Sequence, residues 1–555
     1  MAATSFEVVR RFLPMLVWLF FLARGAFYCV ALPTWEGWDE WSHFAFVQHL
    51  ENTGRLPAPA VDRPSREILA SLEAGPVAWG IKGMIPALLS YEEYWALAVD
   101  ERQALELRQG SIPEAWRLQQ SDLEPIWEAQ QPPLYYWLMQ PVLWAARDQP
   151  LATRVLFLRM ATLLLASLMI PLGYLALSEL LASRGAALAL TACVCAMPGL
   201  MLDVCRVGNE APVVVLYTLL LLCGLRLVRA PEDLRWWLAA GAAIGCGLLS
   251  KAYFLTAFAP LGVLAGWLAW NGRRQWRRIL GGWAAAMLIP ALAAGWWYRF
   301  IWEATGTATG QIQTVAIRHL GLAGKLAVLP QMNWRQALDT VVLSHVWMGG
   351  WSFLQVRAWI YHLCGMLIVT GVAGALLLML RPELPKPEVR EPRRLAAASG
   401  LLVAPFLAAM GYQAVAAYLT IGQPVSNGWY LYAVIFAEAA LVYAGVATLT
   451  PRRGRRWIVP AATLGAIALD IYGMLFWLLP YYHGLIRHLP DGKMQNFHLE
   501  QAQRMGGEEL LVRLAVNRPY FDGAEGFLAL AALWAAATLA LPAIAWMSAR
   551  KGGES

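Results

Sequence analysis

The sequence predicts an all-α polytopic membrane protein with about twelve transmembrane helices and a large first outer loop that carries juxtamembrane helices. Hydrophobic residues make up 59% of the 555 residues and charged residues only 15%, whereas soluble domains carry about 25% charged residues. Many apolar runs approach the length of about 20 residues that a helix needs to cross the hydrocarbon. The basic residues behind the net charge of +7 cluster in short loops between these runs, which is typical of membrane proteins and argues against nucleic-acid binding.

The apolar runs place the predicted spans at 12–33, 155–181, 185–202, 211–228, 236–252, 254–271, 281–301, 358–380, 395–419, 428–449, 456–480 and 524–547. The first run has a basic start, as a secretory signal peptide does. It is long for a signal peptide and many spans follow, so we expect a retained first helix. We divide the chain into a transmembrane module at 1–480 and a C-terminal part at 481–555, which holds an outer loop and the last span.

Charge supports this topology. With the N-terminus inside, every predicted inner loop is basic, as the positive-inside rule requires. These loops hold Arg184, Arg226, Arg229 and Arg235, Arg273 to Arg278, Arg381 to Arg394, Pro451 to Arg456, and Arg550 with Lys551. We therefore expect a multi-pass protein of the bacterial inner (plasma) membrane with both termini in the cytoplasm. The large loops at 34–154, 302–357 and 481–523 would then face the periplasm or outside.

The segment from Pro132 to Ala146 is apolar enough to suggest a thirteenth span. It is only about 15 residues long, which is short for a crossing, and it contains three prolines. Counting it as a span would invert every later loop and place the basic segment 273–278 outside. We therefore expect a juxtamembrane helix at the outer interface.

The first outer loop opens with the stretch WDEWSHF, in which two carboxylates stand among tryptophans. On a helix, Asp39 and His43 are four residues apart and Glu40 and His43 are three apart, so all can share one face. A carboxylate held at the edge of a low-dielectric region can act as a base toward a hydroxyl or amine. The alternative is a surface helix whose carboxylates face water and whose tryptophans form an interfacial belt.

The same loop closes with EAQQPPLYYWL. Its Pro-Pro pair predicts a helix start, with Glu128 and Gln131 just before it. The aromatic residues Tyr135 and Tyr136 suit either stacking on a sugar or simple anchoring at the interface.

Two further polar groups lie between spans on the predicted outer side. Arg206, Asn209 and Glu210 stand in DVCRVGNEA, and Lys251 stands in LLSKAYFL. Arginine as a bidentate donor and lysine as a point charge suit a phosphate group. The alternatives are pairing among these residues and, for Lys251, snorkelling to the interface.

Three more ionisable residues lie inside predicted spans, either as functional groups or as internal ion pairs; they are Arg24, Glu438 and Asp470.

Taken in order, these motifs resemble the GT-C superfamily of integral-membrane glycosyltransferases. The branch is the one related to protein O-mannosyltransferases and lipid A aminoarabinose transferases. The segments that carry the resemblance are WDEWSHFAFVQHL (Trp38 to Leu50), QQPPLYYWL (Gln130 to Leu138), RVGNEA (Arg206 to Ala211), LLSKAYFL (Leu248 to Leu255) and HVWMGGWSF (His345 to Phe353). Together with the late segment NGWYLY, they follow the family's order over residues 40 to 430.

The resemblance implies an inverting transfer of a sugar from a polyprenyl-phosphate donor to a lipid, glycan or protein acceptor on the outer face. It implies Asp39 and Glu40 as the catalytic residues and Arg206 and Lys251 as ligands of the donor phosphate. The residues expected to bind the acceptor or substrate are His43, Glu128, Gln131, Tyr135, Tyr136, Asn209 and Glu210. No cofactor is assigned, and a divalent metal is left open with Asp39, His43 and Glu210 as candidate ligands.

Two departures from the family pattern affect these expectations. Trp429 stands where the family often has the arginine of a Gly-Arg-Tyr sequence, which places more weight on Arg206 and Lys251 for the phosphate. Glu210 follows Asn209 where the family often has aspartate. Two other functions stay open: a polysaccharide ligase or polymerase using basic residues such as Arg487 or Arg513, and a lipid or small-molecule transporter.

Overall fold

The computed structural model describes residues 2–85, 88–181, 183–272, 274–380, 387–518 and 523–551. Every regular element within these ranges is helical, and the only β-pairing there consists of four isolated bridges. The predicted all-α class is therefore confirmed. Arg273 and residues 381–386, which belong to two of the predicted inner loops, lie outside the described residues.

The helices follow the predicted order of spans and loops. The first helix and those of the first loop are α1 (Ala2–Ala31), α2 (Glu40–Thr53), α3 (Arg66–Glu73), α4 (Trp79–Met84), α5 (Tyr91–Ala96), α6 (Val99–Gly110) and α7 (Leu134–Ala145). The next group comprises α8 (Leu151–Ser167), α9 (Met169–Leu180), α10 (Arg184–Ala196), α11 (Pro198–Val204), α12 (Glu210–Arg229), α13 (Leu234–Leu248), α14 (Phe258–Asn271) and α15 (Trp276–Thr305).

The second half continues in the same way. It contains α16 (Ile312–Ala316), α17 (Leu322–Leu326), α18 (Trp334–Val346), α19 (Ala358–Leu380), α20 (Pro387–Ile421), α21 (Ile435–Leu449), α22 (Arg452–Gly473), α23 (Leu479–Tyr482), α24 (Leu499–Met505), α25 (Gly507–Ala515) and α26 (Gly523–Lys551). Short 3₁₀ turns lie at Glu114–Leu118, Ala252–Ala257, Leu329–Gln331, Gly350–Ser352 and Gly428–Val434, and a π-helical turn lies at Met474–Leu478.

Ten of the twelve predicted spans are helical segments long and apolar enough to cross a membrane. The predicted span at 185–202 is the pair α10 and α11, which meet at an angle of 65°. Pro198 begins α11, and proline cannot continue the hydrogen-bond ladder of the preceding helix. The predicted span at 236–252 is α13, which has only 15 residues and a length of about 22 Å. The chain is a multi-pass membrane protein with ten such spans among the described residues, or eleven with the bent pair.

The first loop folds into a unit with its own apolar core. The tryptophans of the WDEWSHF region are inside it: Trp35, Trp38 and Trp41 are at most 5% exposed. They therefore pack as core residues and do not form an exposed interfacial belt. The segment Pro132 to Ala146 forms α7, whose 12 residues pack against α2 and α8, so it contributes a loop helix as expected.

The ionisable residues inside the predicted spans are paired with one another or with loop residues. Asp470 of α22 accepts hydrogen bonds from Arg24 (2.9 Å), Trp534 (3.1 Å) and Tyr28. Arg24 also donates to backbone carbonyls at the end of α10. This cluster connects α1, α10, α22 and α26 inside the bundle. Glu438 of α21 pairs with His345 Nε2 at 3.0 Å. These contacts favour internal ion pairs over separate functional sites.

The Arg24–Asp470 pair provides a test of the fold. Both side chains are 0% exposed, so Asp470→Asn leaves a buried guanidinium without its counter-charge. We expect a loss of about 3–5 kcal/mol of unfolding free energy, measured by thermal or denaturant unfolding of the purified protein in detergent. Glu500→Gln removes a solvent-exposed i,i+4 pair with Arg504 and should cost less than about 1 kcal/mol. Equal stability of Asp470→Asn and wild type would contradict this role of the pair.

Candidate functional site

The candidate site begins at the turn that leads into α2. Asp39 is the residue before the helix and has a left-handed backbone, with φ 54° and ψ 16°. Its carbonyl accepts the amide hydrogens of Ser42 and His43 at 3.0 and 2.9 Å, which starts the helix. Aspartate tolerates this backbone conformation better than most residues with a side chain, so the residue type suits the turn.

The Asp39 carboxylate takes no part in capping the helix, although aspartate at this position usually does. It is half-buried, and no hydrogen bond to it comes from the described part of the chain. Burial raises the pKa of Asp39 to about 6, against the opposing effect of the nearby Arg206 and Lys251 cations. The structure thus places an uncommitted carboxylate among charged groups.

Glu40, the next residue, has very different surroundings. Its carboxylate is 0% exposed and forms a bidentate pair with Arg159 of α8, with distances of 2.7 and 2.5 Å. It also accepts the backbone amides of Val207 at 3.0 Å and Trp35 at 3.1 Å. The adjacent carboxylates of the motif are therefore separated, with Glu40 held by four donors and Asp39 by none among the described residues.

A buried charge cluster lies where Asp39 meets the segment between α11 and α12. Arg206 pairs with Asp203 at 2.9 Å and with Glu210 at 2.8 Å, and it donates to the Trp38 carbonyl at 2.7 Å. Lys251 pairs with the other oxygen of Glu210. Arg206, Asn209, Glu210 and Lys251 are thus brought together as the sequence suggested. Lys251 is 6% exposed and does not snorkel.

The segment that closes the first loop covers the cluster from the other side. Asn209 donates to Gln131 at 3.2 Å and to the Ser250 carbonyl at 3.1 Å. The amide of Glu128 donates to the Ser42 hydroxyl at 3.2 Å. Burial, followed by the charge of Asp39, raises the pKa of Glu128 to about 8. Glu128 is therefore a neutral acid near pH 7, and its Oε2 has no hydrogen-bond partner among the described residues.

The remaining predicted residues form a polar layer next to this cluster. His43 Nδ1 lies 2.9 Å from the Tyr136 hydroxyl, and burial lowers the pKa of His43 well below its usual value. The Tyr135 hydroxyl accepts the Gly208 amide at 3.0 Å and lies 2.7 Å from the Thr162 hydroxyl. His43 is thus a neutral ring, and Tyr135 ties α7 to the Arg206 segment.

An aromatic wall lies beside Asp39. Trp38 stacks on Trp429, with ring centroids 4.4 Å apart and an interplanar angle of 19°. Trp38 also contacts Trp351 and Phe353 of the HVWMGGWSF segment. Glu36 accepts the amide of Ser352 at 3.0 Å and its hydroxyl at 3.1 Å. Trp429 therefore lies at the site even though it lacks the charge of the expected arginine.

The surroundings of the three candidate metal ligands bear on whether the site holds a metal. In the described ranges, no group of three or more histidine, cysteine, aspartate or glutamate residues is arranged to hold a metal ion. Of the candidate ligands, Glu210 is engaged by Arg206 and Lys251, and His43 lies against Tyr136. The three candidates Asp39, His43 and Glu210 do not fit a preformed metal site.

Sequence reasoning missed several residues of the site. Arg159 forms the ion pair with Glu40. Arg206 is bound by the Asp203 carboxylate and the Trp38 carbonyl. The rings of Tyr253 and Tyr430 lie 4.9 and 5.8 Å from the Lys251 ammonium. Arg159 carried a usable signal, because it is an isolated charge inside an apolar run. Asp203 and Tyr253 stand close in sequence to Arg206 and Lys251, so their positions in the two polar segments were a usable signal as well. Trp38 and Tyr430 carried none, since their contacts with the two cations join segments that are distant in sequence.

Comparison with known proteins bears on the centre of this site. Residues 130–298 match the family model of dolichyl-phosphate-mannose-protein mannosyltransferases. This part of the chain is therefore similar to a family of mannosyltransferases that use a lipid-linked sugar. It includes the tyrosines of α7, the charge cluster at 203–210 and Lys251, and it begins after Asp39, Glu40 and Glu128.

The other comparisons add little detail. The crystal structure of ArnT from Cupriavidus metallidurans bound to undecaprenyl phosphate is similar over 84% of this chain and 80% of that chain. The sequence identity is 15% and the TM-score is 0.31, which is too low to place residues of the site. No curated protein matches the chain.

Gly37 provides a test of how closely the first loop packs on the charge cluster. A Cβ atom at Gly37 would lie 2.6 Å from the Cβ atom of Arg206, so Gly37→Ala must displace either the loop or Arg206. We expect a loss of about 1–3 kcal/mol of stability in thermal unfolding.

Gly83→Ala in α4 is the matched control, because a Cβ atom there meets nothing within 4 Å. It should be neutral or gain up to about 1 kcal/mol. If Gly37→Ala behaved like Gly83→Ala, the close approach of residue 37 to Arg206 would be wrong.

Proposed function

We propose that the protein transfers a sugar from a polyprenyl-phosphate donor to an acceptor at the end of the bundle that carries the first loop. That end would face the periplasm or outside, as the basic loops indicate. The observation that carries the proposal is the state of Asp39, a half-buried carboxylate with no hydrogen bond from the described residues, beside Arg206 and Lys251. The family match over 130–298 supports glycosyl transfer as the reaction class.

In the proposed reaction, Asp39 accepts the proton of an acceptor hydroxyl or amine. The freed electron pair forms the new bond to the anomeric carbon of the sugar from the face opposite the phosphate. The bond from that carbon to the phosphate oxygen breaks, and its electron pair leaves with the polyprenyl phosphate. The products are the glycosylated acceptor, the polyprenyl phosphate and a protonated Asp39, with inversion at the anomeric carbon. A carboxylate with a pKa near 6 is ionised at neutral pH and basic enough for this step.

The leaving phosphate would bind at Lys251 and Arg206. Lys251 uses one of its three ammonium donors for Glu210, and Arg206 Nε has no partner among the described residues. The buried Tyr253 hydroxyl also has no partner there, and its ring lies 4.9 Å from the Lys251 ammonium. Glu210 would hold both cations in position, so that charge-assisted hydrogen bonds to the phosphate form without a large rearrangement.

The other site residues predicted from the sequence would have supporting roles around Asp39, Arg206 and Lys251. Glu40 is engaged by Arg159 and two backbone amides, which supports a positioning role in place of the catalytic role inferred from sequence. Glu128 as a neutral acid can donate a hydrogen bond to the acceptor without adding a second negative charge beside Asp39. His43, Gln131, Tyr135, Tyr136 and Asn209 form the surrounding polar layer.

The first test replaces the proposed base. Asp39→Asn keeps the size of the side chain and breaks no hydrogen bond among the described residues, so the protein should fold and bind the donor. We expect transfer to fall by about 100-fold or more, measured as sugar released from radiolabelled polyprenyl-phosphate sugars in membranes containing each variant.

Asp122→Asn is the matched control, because Asp122 is an exposed aspartate of the same loop, and it should retain wild-type transfer. Full activity in Asp39→Asn would remove this residue from the mechanism. If Arg487 or Arg513 variants alone abolished transfer, the ligase or polymerase alternative would replace the proposal.

The pH dependence of transfer follows from the two carboxyls. Asp39 must be ionised, so the rate should fall about tenfold per pH unit below about pH 6. Glu128 must be neutral, so the rate should also fall above about pH 8. Transfer measured from pH 5 to 9 should give both limbs, and Glu128→Gln should lose the alkaline limb only. An alkaline limb that is unchanged in Glu128→Gln would exclude Glu128 as its source.

A further inference from the structure

The proposed function leaves the acceptor undefined, and the structure has a second feature that bears on it. A cavity of about 700 Å³ opens between α18, the turn at 348–355 and the segment 425–429. Its size is within the range of about 300–1,000 Å³ that is usual for small-molecule sites. None of the residues expected from sequence to bind substrate lines it.

The cavity adjoins the candidate site through shared residues. Trp429 and Phe353 line the cavity, and both rings contact Trp38, the residue before Asp39. The next residue, Tyr430, has its ring 5.8 Å from the Lys251 ammonium. The segment 429–430 therefore lies between the cavity, which Trp429 lines, and Lys251, which Tyr430 faces, and the cavity adjoins the turn of Asp39 through Trp38.

The walls of the cavity are held in place by buried contacts. Gly428 donates its amide to the Ser344 hydroxyl at 2.6 Å, and His345 Nδ1 lies 3.1 Å from the Gly428 carbonyl. A Cβ atom at Gly428 would lie 1.9 Å from the Val341 carbonyl oxygen, so only glycine fits this approach. The pair of His345 with Glu438 extends this anchor into α21. The segment carrying Trp429 is thus fixed against α18.

The lining has the chemistry of a site for a neutral, hydroxyl-rich ligand. Four side-chain amides face it, and amides both donate and accept hydrogen bonds, as sugar hydroxyls do. These amides belong to Asn333, Gln336, Gln355 and Asn427. The charged residues of the lining are Arg335 and Asp339, which are opposite in sign and 3.7 Å apart. This balance does not favour an anionic ligand. The lining also contains Leu343, Met348, Phe353 and Val425, which would contact the non-polar faces of the ligand while the amides bind its hydroxyls.

Trp429 provides an aromatic surface on which a sugar ring can stack. Trp429 is stacked against Trp38 on one face, and it lines the cavity while half-buried. The C–H groups on one face of a pyranose ring pack well on the electron-rich face of an indole. We propose that this cavity binds a saccharide unit of the acceptor, with Trp429 beneath the sugar ring and the amides around its hydroxyls. This inference rests on the proposed glycosyl transfer and adds the acceptor class, a glycan or a glycan-bearing lipid.

The test measures binding without transfer. The full-length protein in lipid nanodiscs is applied to an array of neutral and acidic oligosaccharides, and the dissociation constant of the strongest neutral ligand is then determined. We expect Trp429→Leu and Gln355→Leu each to weaken this binding about tenfold. Gln355 is exposed and its side chain has no hydrogen bond among the described residues, so its replacement should not unfold the protein. Trp334→Leu on α18 is the matched control, because Trp334 does not line the cavity, and it should bind normally.

Several results would overturn the assignment. The first is that the wild type binds no oligosaccharide. The second is that the wild type and both cavity variants bind equally well. The third is that the protein binds peptides on an array more strongly than oligosaccharides. In a further experiment, polyprenyl-phosphate mannose is added, and the affinity for the oligosaccharide should stay within about twofold. Displacement of the oligosaccharide by this donor would assign the cavity to the donor sugar and overturn the acceptor assignment. Asp39→Asn should bind the oligosaccharide as the wild type does. The binding assay therefore tests the cavity, and the transfer assay tests Asp39 as the base, so failure of one proposal can be told apart from failure of the other.

Discussion

The buried pair between Arg159 and Glu40 is the interaction on which the candidate site depends. Arg159 lies in α8 and is fully buried, and it donates to both oxygens of Glu40 and to the carbonyls of Cys29, Leu32 and Pro33. Burying a guanidinium is costly unless its donors are satisfied. Here they are satisfied by the end of α1 and the start of α2, so the pair fixes the turn between them and with it the position of Asp39.

The same pair extends to the charge cluster. Glu40 accepts the amide of Val207, which is the residue after Arg206, while Arg206 donates back to the Trp38 carbonyl. The first loop and the segment between α11 and α12 are thereby joined on both sides of Asp39. A carboxylate flanked by such fixed groups can keep a raised pKa and no hydrogen-bond partner, because its surroundings are held by other contacts.

The site is also divided into two sides by one short segment. Tyr430 faces Lys251, and Trp429 faces the cavity and stacks on Trp38. Trp429 carries no charge that could hold phosphate, and it supplies an aromatic surface. Lys251, which is joined to Arg206 through Glu210, is the cation that Tyr430 faces. Charge on one side and amide-rich, aromatic chemistry on the other suit two different substrates.

The sequence alone determined the membrane class, the position of the spans and the segments that form the site, because the length of an apolar run and the placement of basic residues are local properties. It also placed Arg206 and Glu210 as possible partners and Arg206 with Lys251 as candidate ligands of one phosphate. Tertiary structure decided which of two adjacent carboxylates has no hydrogen bond from the residues that the structure describes, since the partner of Glu40 is 119 residues away in α8. It likewise decided that 185–202 bends and that Trp429 meets Trp38. These outcomes depend on how distant helices pack, and no local pattern around Asp39 and Glu40 distinguishes the two carboxylates.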